Sequence, residues 1–296
     1  MSTASADQIS LGRPATSAAP LRHWLRLFRS EIRIIFLRPR NLALLSLLAV
    51  APIFLGIVLK ISTPPPGAGD GGGPGVFVGQ IADNGVFLSL FTIYVLLPVV
   101  VPLAVAVVSG DSIAGEAGLG TLRTLLTVPA GRVRLLLTKY VSIVVFCLAA
   151  YALIAVIALV MGALLFPIGP VTLLSGNAVP LASGLARLAL IVLYVVAGLA
   201  ALGAIGLALS TLTQHAIAVM ATILVIVIVS QILDAVSQVA AIHPYLPTHF
   251  WFSFDAFLRM PIAWSQVLHG LGSFAAWAAI SCAVAIVRIR RADVTC

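Results

Sequence analysis

Residues 109–139, SGDSIAGEAGLGTLRTLLTVPAGRVRLLLTK, form the long polar interruption in a sequence that is otherwise strongly apolar. The segment lies between two hydrophobic runs and carries four cations: Arg123, Arg132, Arg134 and Lys139. A basic segment between two apolar runs is typical of a cytoplasmic loop that joins two membrane spans. The segment therefore separates the membrane spans that precede it from those that follow it.

The spacing of leucines predicts a short amphipathic helix inside this loop, over residues 113–127. Its apolar face consists of leucines three and four residues apart: Leu119, Leu122 and Leu126. Glu116 and Arg123 then share another face. Pro129 and Gly131 follow, and they end the helix because proline lacks the amide donor and glycine relaxes the backbone.

The composition indicates an integral membrane protein. The chain has 296 residues, of which 61% are hydrophobic and 9% charged, and its mean hydropathy is +1.16. Six apolar segments reach the roughly 20 residues that cross a bilayer core of about 30 Å: residues 41–59, 86–109, 135–166, 181–209, 216–241 and 267–287. Spans must be helical because backbone amides find no water in the bilayer. The predicted fold class is all-α, with six transmembrane helices, an N-terminal amphipathic interfacial helix and a cytoplasmic helix between spans 2 and 3.

The distribution of positive charge predicts the orientation. The formal charge is +8, which in a soluble chain would suggest nucleic-acid binding. Here, however, fourteen of the seventeen Lys and Arg precede the first span, surround the central loop or follow the sixth span. The cations on the other side are Lys60, Arg187 and Arg259. This asymmetry follows the positive-inside rule and predicts that both termini are cytoplasmic.

The chain divides into four predicted regions. Residues 1–20 are small, polar and rich in Ala, Ser and Thr, without the apolar core of a signal peptide, and are expected to be a disordered cytoplasmic tail. Residues 21–38 form a basic amphipathic helix suited to the membrane interface. Residues 39–290 form the six-helix transmembrane domain, and residues 291–296 a cytoplasmic tail.

The central loop resembles that of ABC-2 type transporter permeases. The matching pattern is E-x3-G-T-L-x2-L-L-x2-P-x2-R-x6-K, which here comprises Glu116, Gly120, Thr121, Leu122, Leu125, Leu126, Pro129, Arg132 and Lys139. The resemblance implies that the loop, residues 110–134, is a coupling helix that docks on a separate ATP-binding cassette ATPase subunit. The implied coupling interface is Glu116, Gly120, Thr121, Leu122, Arg123, Pro129 and Arg132. Residues 21–38 would be the family's elbow helix, although a simple juxtamembrane anchor fits them equally well.

By this resemblance the chain is the permease subunit of an ATP-driven exporter in a prokaryotic plasma membrane (cell inner membrane). It would pair with a second copy or a related permease. ATP would bind the partner subunit, because the sequence lacks the nucleotide-binding motif G-x4-G-K-S/T. No cofactor is expected on this chain itself. An intramembrane enzyme would need H-E-x-x-H, G-x-S-x-G or a similar motif, which the chain also lacks. The alternative is an ion-gradient-driven secondary transporter, against which the acid-free central thirds of the spans count.

Several smaller features complete the predictions. Pro98 and Pro102 should kink the second span. In the fourth span, small residues recurring every fourth position should make an interhelical contact: Ala200, Ala204 and Ala208. Residues 61–85 should be a flexible external loop.

Arg187 and Asp234 are expected to lie near the external boundary of the bilayer, in snorkelling or ion-paired structural roles. Residues 242–266 should form interfacial or re-entrant half-helices, with Trp251 and Trp264 at headgroup level. His243 and His249 lack an acidic partner at ligand spacing, so no metal site is predicted.

Overall fold

The computed structural model describes residues 19–62, 84–115 and 132–291, with side chains from residue 26 onward and, after the central loop, from residue 133. In these ranges the α-helices are α1 (Ala19–Leu37), α2 (Pro39–Ser62), α3 (Val86–Leu96), α4 (Val100–Gly110), α5 (Arg132–Leu165), α6 (Leu181–Ser210), α7 (Ala216–Ala235) and α8 (Trp264–Arg291). A π-helical turn, Asp111–Gly115, continues α4. Two short strands, β1 (Val171–Thr172) and β2 (Ala178–Val179), pair antiparallel between α5 and α6. Three 3-10 helices, Ser237–Val239, His243–Tyr245 and His249–Leu258, join α7 to α8.

Five of the described helices are long and apolar enough to cross a membrane: α2, α5, α6, α7 and α8. The helices α3 and α4 meet the same criterion only as a pair, which is bent by 58° at the break between them. The predicted all-α membrane fold class is thus confirmed, with five continuous candidate spans and one bent pair.

Two prolines explain the break between α3 and α4. Pro98 lies in the break, and Pro102, four residues later, lacks the amide that would bond to the Pro98 carbonyl. The side-chain amide of Gln231 on α7 donates to that carbonyl over 2.7 Å instead. A neighbouring helix therefore satisfies the backbone group that the prolines leave free, as membrane proteins require. The predicted kink is confirmed.

The helix ends gather at two opposite ends of the bundle. The end with Arg38, Asp111 and Lys139 is called the basic end, because ion pairs join these residues to their neighbours there. At the other end the Lys60 ammonium lies 5.2 Å from the centre of the Phe166 ring. That end also carries the 3-10 helices and is called the aromatic end. The helices α2 and α5 each run from the basic end to the aromatic end.

The core of the bundle is α6, because 72% of its most apolar 18-residue stretch is buried. Small residues permit this burial: a Cβ added to Gly203 would lie 2.7 Å from Ile143 Cγ2, and one added to Gly206 would lie 2.7 Å from Ser109 Cβ. These neighbours belong to α5 and α4. The close approach of α4 and α5 to α6 is therefore made at Gly203 and Gly206, within one chain. Of the predicted stripe, Ala204 and Ala208 are buried and Ala200 is partly exposed.

One prediction at the aromatic end is wrong. The fifth span was expected to continue to residue 241, but α7 ends at Ala235 and the chain turns through 3-10 helices. Trp251, which was expected at headgroup level, is buried within the bundle at 2% exposure. Its ring packs on Gly198 of α6, where the missing side chain leaves room for an indole. Trp264, at the start of α8, is exposed. Most of the predicted tails 1–20 and 291–296 and of the predicted loop 61–85 lies outside the described residues, although Ala19 already begins α1 and Arg291 still belongs to α8.

Candidate functional site

The central loop is the predicted site, and its two flanks lie within the described residues. The predicted coupling residues Glu116, Gly120, Thr121, Leu122, Arg123 and Pro129 lie outside them. Arg132 is the first residue of α5, and its side chain is not described. The structure thus describes how the loop is held rather than the loop itself.

The first flank is held by one carboxylate shared between two arginines. Arg38 Nη1 donates to Asp111 Oδ2 over 3.2 Å, and Arg40 Nη2 donates to the same oxygen. Arg40 also reaches the Val107 carbonyl of α4 over 3.4 Å. Planar guanidinium groups suit such shared contacts because each offers several donors in a fixed arrangement. The junction of α1 and α2 is therefore tied to the point where α4 gives way to the π-helical turn.

Hydroxyl groups bind the π-helical turn to its surroundings. Ser112 Oγ donates to the Ser109 carbonyl over 2.6 Å and lies 3.4 Å from Ser210 Oγ at the end of α6. Single π-helical turns often mark functional positions, because they interrupt the regular ladder of helical hydrogen bonds. The first flank therefore contacts α6 as well as the α1–α2 junction.

The second flank is held by a buried ion pair. Lys139 Nζ of α5 lies 3.2 Å from Glu31 Oε1 and 3.4 Å from Glu31 Oε2, and the two side chains are 3% and 9% exposed. The helix α1 therefore covers the Lys139 end of α5. The 34 residues of α5 span about 51 Å at 1.5 Å per residue, which is longer than a bilayer core of about 30 Å.

Sequence reasoning missed Glu31, although a signal for it exists. Glu31 lies three residues after Phe28 and four before Ile35, so it falls on the apolar face of α1 rather than among the arginines. A buried carboxylate on an apolar face needs a cationic partner. The sequence could have indicated that Glu31 needs a cationic partner, but not which residue provides it.

A second group of polar side chains lies at the aromatic end. Arg187 of α6 donates through Nη1 to the carbonyls of Phe257 and Arg259, the latter over 3.1 Å. Asp234, in the last turn of α7, lies 2.5 Å from His249 Nδ1. The predicted structural roles at this boundary thus use a backbone partner for Arg187 and a histidine partner for Asp234. The premise that the histidines lack an acidic partner is wrong.

These observations define a multi-pass helical membrane protein in which both flanks of the central loop are fixed by ion pairs to α1 and the α1–α2 junction. The chain belongs to the family described as "Protein of unknown function (DUF2705)", whose model matches residues 77–295. No curated protein matches the chain. The matched region includes the central loop and everything from α3 to α8, whereas Glu31, Arg38 and Arg40 precede it.

Proposed function

We propose that this chain is the permease subunit of an ATP-driven ABC-2 type exporter, and that residues 110–134 dock on a separate ATPase subunit. The observation that carries the proposal is the anchoring of both loop flanks to one unit, α1 with its junction to α2. Asp111 holds one flank through Arg38 and Arg40, and Lys139 holds the other through Glu31. The loop motif resembles the coupling helix of ABC-2 permeases, and this resemblance indicates that the partner is an ATP-binding cassette ATPase.

The anchoring suits a coupling device. A loop fixed at both ends moves as a body with the helices that hold it, so a push from a docked subunit reaches α4 and α5 together. The bend between α3 and α4 then offers a place where such a movement can be absorbed, because the helical ladder is already interrupted there.

The positive-inside rule supports a cytoplasmic basic end. Exposed cations from α1, α5 and α8 lie at this end: Arg26, Arg29, Arg33, Arg134, Arg288, Arg290 and Arg291. The aromatic end carries Lys60, Arg187 and Arg259. With this orientation both termini are cytoplasmic in a prokaryotic plasma membrane, and the central loop faces the compartment that supplies ATP.

A pathway formed by two permeases is part of the proposal, as a homodimer or with a related permease. This part rests on the resemblance. The small residues of α6 lend it no support, because Gly203 and Gly206 pack against α4 and α5 of the same chain.

The positions of the acids favour this proposal over an ion-gradient-driven secondary transporter. The acidic residues within the described ranges are Glu31, Asp111, Asp234 and Asp255. The first two lie at the basic end and the last two at the aromatic end. Gradient-driven carriers generally place acidic groups near the middle of the membrane, where none of the four acids of the described ranges lies.

The test uses Glu116, which the proposal places against the ATPase. We expect Glu116→Ala to leave membrane insertion intact but to weaken ATPase co-purification or cargo-stimulated ATP hydrolysis. Glu116→Arg should weaken them further, because it adds repulsion toward Arg123 and the other cations of the loop. The measurement is affinity purification from the native membrane, followed by ATPase assays in lipid.

Asp255→Ala is the matched control, because it removes an acid at the opposite end and should leave ATPase binding unchanged. If no ATPase accompanies the parent protein, the proposal fails. If both Glu116 variants bind and activate the ATPase as the parent does, the docking role of Glu116 fails.

A further inference from the structure

The end of α7 brings together three side chains that can bind a metal. Asp234 is the last residue but one of α7, and the 3-10 helices that follow carry the chain back so that His243 and His249 face it. One ligand atom from each residue lies within 4.8 Å of the others. All three side chains are partly buried, at 30%, 16% and 29% exposure. We propose that Asp234, His243 and His249 form a binding site for a divalent transition-metal ion such as Zn²⁺.

The hydrogen bonds of His243 fix which of its nitrogens is free. His243 Nε2 lies 3.1 Å from the Leu233 carbonyl oxygen and 3.2 Å from the Val236 carbonyl oxygen. Carbonyl oxygens only accept hydrogen bonds, so Nε2 carries the proton. In a neutral imidazole the Nδ1 atom then has a free lone pair. A histidine that donates one N–H to a backbone carbonyl and offers its other nitrogen is the usual arrangement for a metal ligand.

The free lone pair of His243 points to the same carboxylate that His249 contacts. His243 Nδ1 lies 3.8 Å from Asp234 Oδ1, and His249 Nδ1 lies 2.5 Å from that oxygen. A lone pair and a carboxylate oxygen repel each other unless a proton or a metal ion lies between them. A metal ion at this point would satisfy both atoms and would replace the proton between Asp234 and His249.

The distances are close to those of a metal centre. Zn²⁺ binds nitrogen and carboxylate oxygen at about 2.0–2.2 Å, so neighbouring ligands of a tetrahedral site lie about 3.3 Å apart. The separations of 2.5 and 3.8 Å from Asp234 fall on either side of this value, and the three ligand atoms all lie within 4.8 Å of one another. Side-chain movements of about 1–1.5 Å would therefore produce the geometry. Two imidazoles and one carboxylate are a ligand set that suits Zn²⁺, with the fourth position left to water.

A metal at this place would join two parts of the molecule that pack differently. The helix α7 lies at the edge of the bundle, because only 22% of its most apolar 18-residue stretch is buried. The 3-10 helices are fixed to the centre, since Tyr194 of α6 donates to the Phe250 carbonyl over 2.8 Å and Trp277 of α8 donates to the Tyr245 carbonyl over 3.2 Å. The ion would thus hold the end of α7 against α6 and α8. This inference does not depend on the proposed transport function.

The experiment measures Zn²⁺ binding to the full chain, purified in lipid nanodiscs with an affinity tag that contains no histidine. After removal of metals with a chelator, Zn²⁺ is titrated in competition with a chromophoric chelator. We expect one Zn²⁺ per chain, and an affinity at least about tenfold lower in His249→Ala and Asp234→Asn, because each loses a direct ligand. His215→Ala and His269→Ala remove exposed histidines elsewhere, and they should bind as the parent does.

A rescue variant separates metal binding from a hydrogen-bonded cluster that is merely structural. His249→Cys should bind Zn²⁺ with an affinity near that of the parent, because a thiolate is also a zinc ligand. Gel filtration without metal shows whether each variant is folded. The proposal is overturned if the parent binds no Zn²⁺ at this stoichiometry. It is equally overturned if the folded His249→Ala and Asp234→Asn variants bind as tightly as the parent.

Discussion

The two ends of the bundle are held together by different kinds of contact. At the basic end, segments distant in sequence are fixed by pairs of opposite charges, such as Glu31 with Lys139. At the aromatic end, Arg187 donates to backbone carbonyls and aromatic rings pack on α6, as Tyr194 does against Phe257 with ring centres 5.8 Å apart. Ion pairs between distant segments thus hold the end proposed to receive a partner, whereas backbone hydrogen bonds, packed rings and the contact of Asp234 with His249 hold the opposite end.

The largest expected effect of a substitution is at the buried pair of the basic end. Lys139→Met leaves the Glu31 carboxylate buried without its ammonium partner, and breaking such a pair costs about 3–5 kcal/mol. The free energy of unfolding, measured in lipid or mild detergent, should fall by this amount. Glu31→Gln combined with Lys139→Met should recover much of the loss, because no uncompensated charge remains. A single variant as stable as the parent would show that the pair does not hold α1 on α5.

The corresponding test at the aromatic end is Arg187→Met. It removes the donor to the carbonyls of Phe257 and Arg259, and hydrogen bonds to charged groups contribute about 1.5–3 kcal/mol. We expect a smaller loss of stability than for Lys139→Met, measured in the same unfolding assay. Arg187→Lys should recover part of the loss, since an ammonium can reach one carbonyl. If Arg187→Met is the more damaging change, the contrast between the two ends is reversed.

The smallest expected effect on stability is that of Asp111→Asn. Its partners Arg38 and Arg40 are partly exposed, and pairs of this kind contribute about 0–1 kcal/mol. Under the proposed function, the same change should reduce ATPase stimulation clearly, because it loosens the first flank of the loop. The control Asp255→Asn, which weakens the exposed pair with Arg259, should change neither stability nor stimulation. Equal ATPase stimulation in Asp111→Asn and the parent would contradict the coupling role of this flank.

Local backbone chemistry could be predicted from the sequence, and distant pairing could not. The bend at Pro98 was predictable because a missing amide acts on its own helix. The pairing of Glu31 with Lys139 joins residues 108 positions apart, and no local pattern specifies such a contact. The partner of His249 was missed for a related reason. A fifth span drawn to residue 241 would carry the chain away from Asp234, whereas α7 in fact ends at Ala235 and the chain turns back.

The sequence was sufficient to predict an all-α membrane protein, the approximate positions of its apolar helices and the segments that carry the positive charge. It did not determine which helix is central. The helices α6 and α7 are almost equally apolar, yet 72% of the most apolar 18-residue stretch is buried in α6 and only 22% in α7. Hydropathy cannot separate the two because lipid tails and a protein core are equally apolar. Only the tertiary structure shows that the small residues of α6 admit α4 and α5 at close range, leaving α7 at the edge of the bundle.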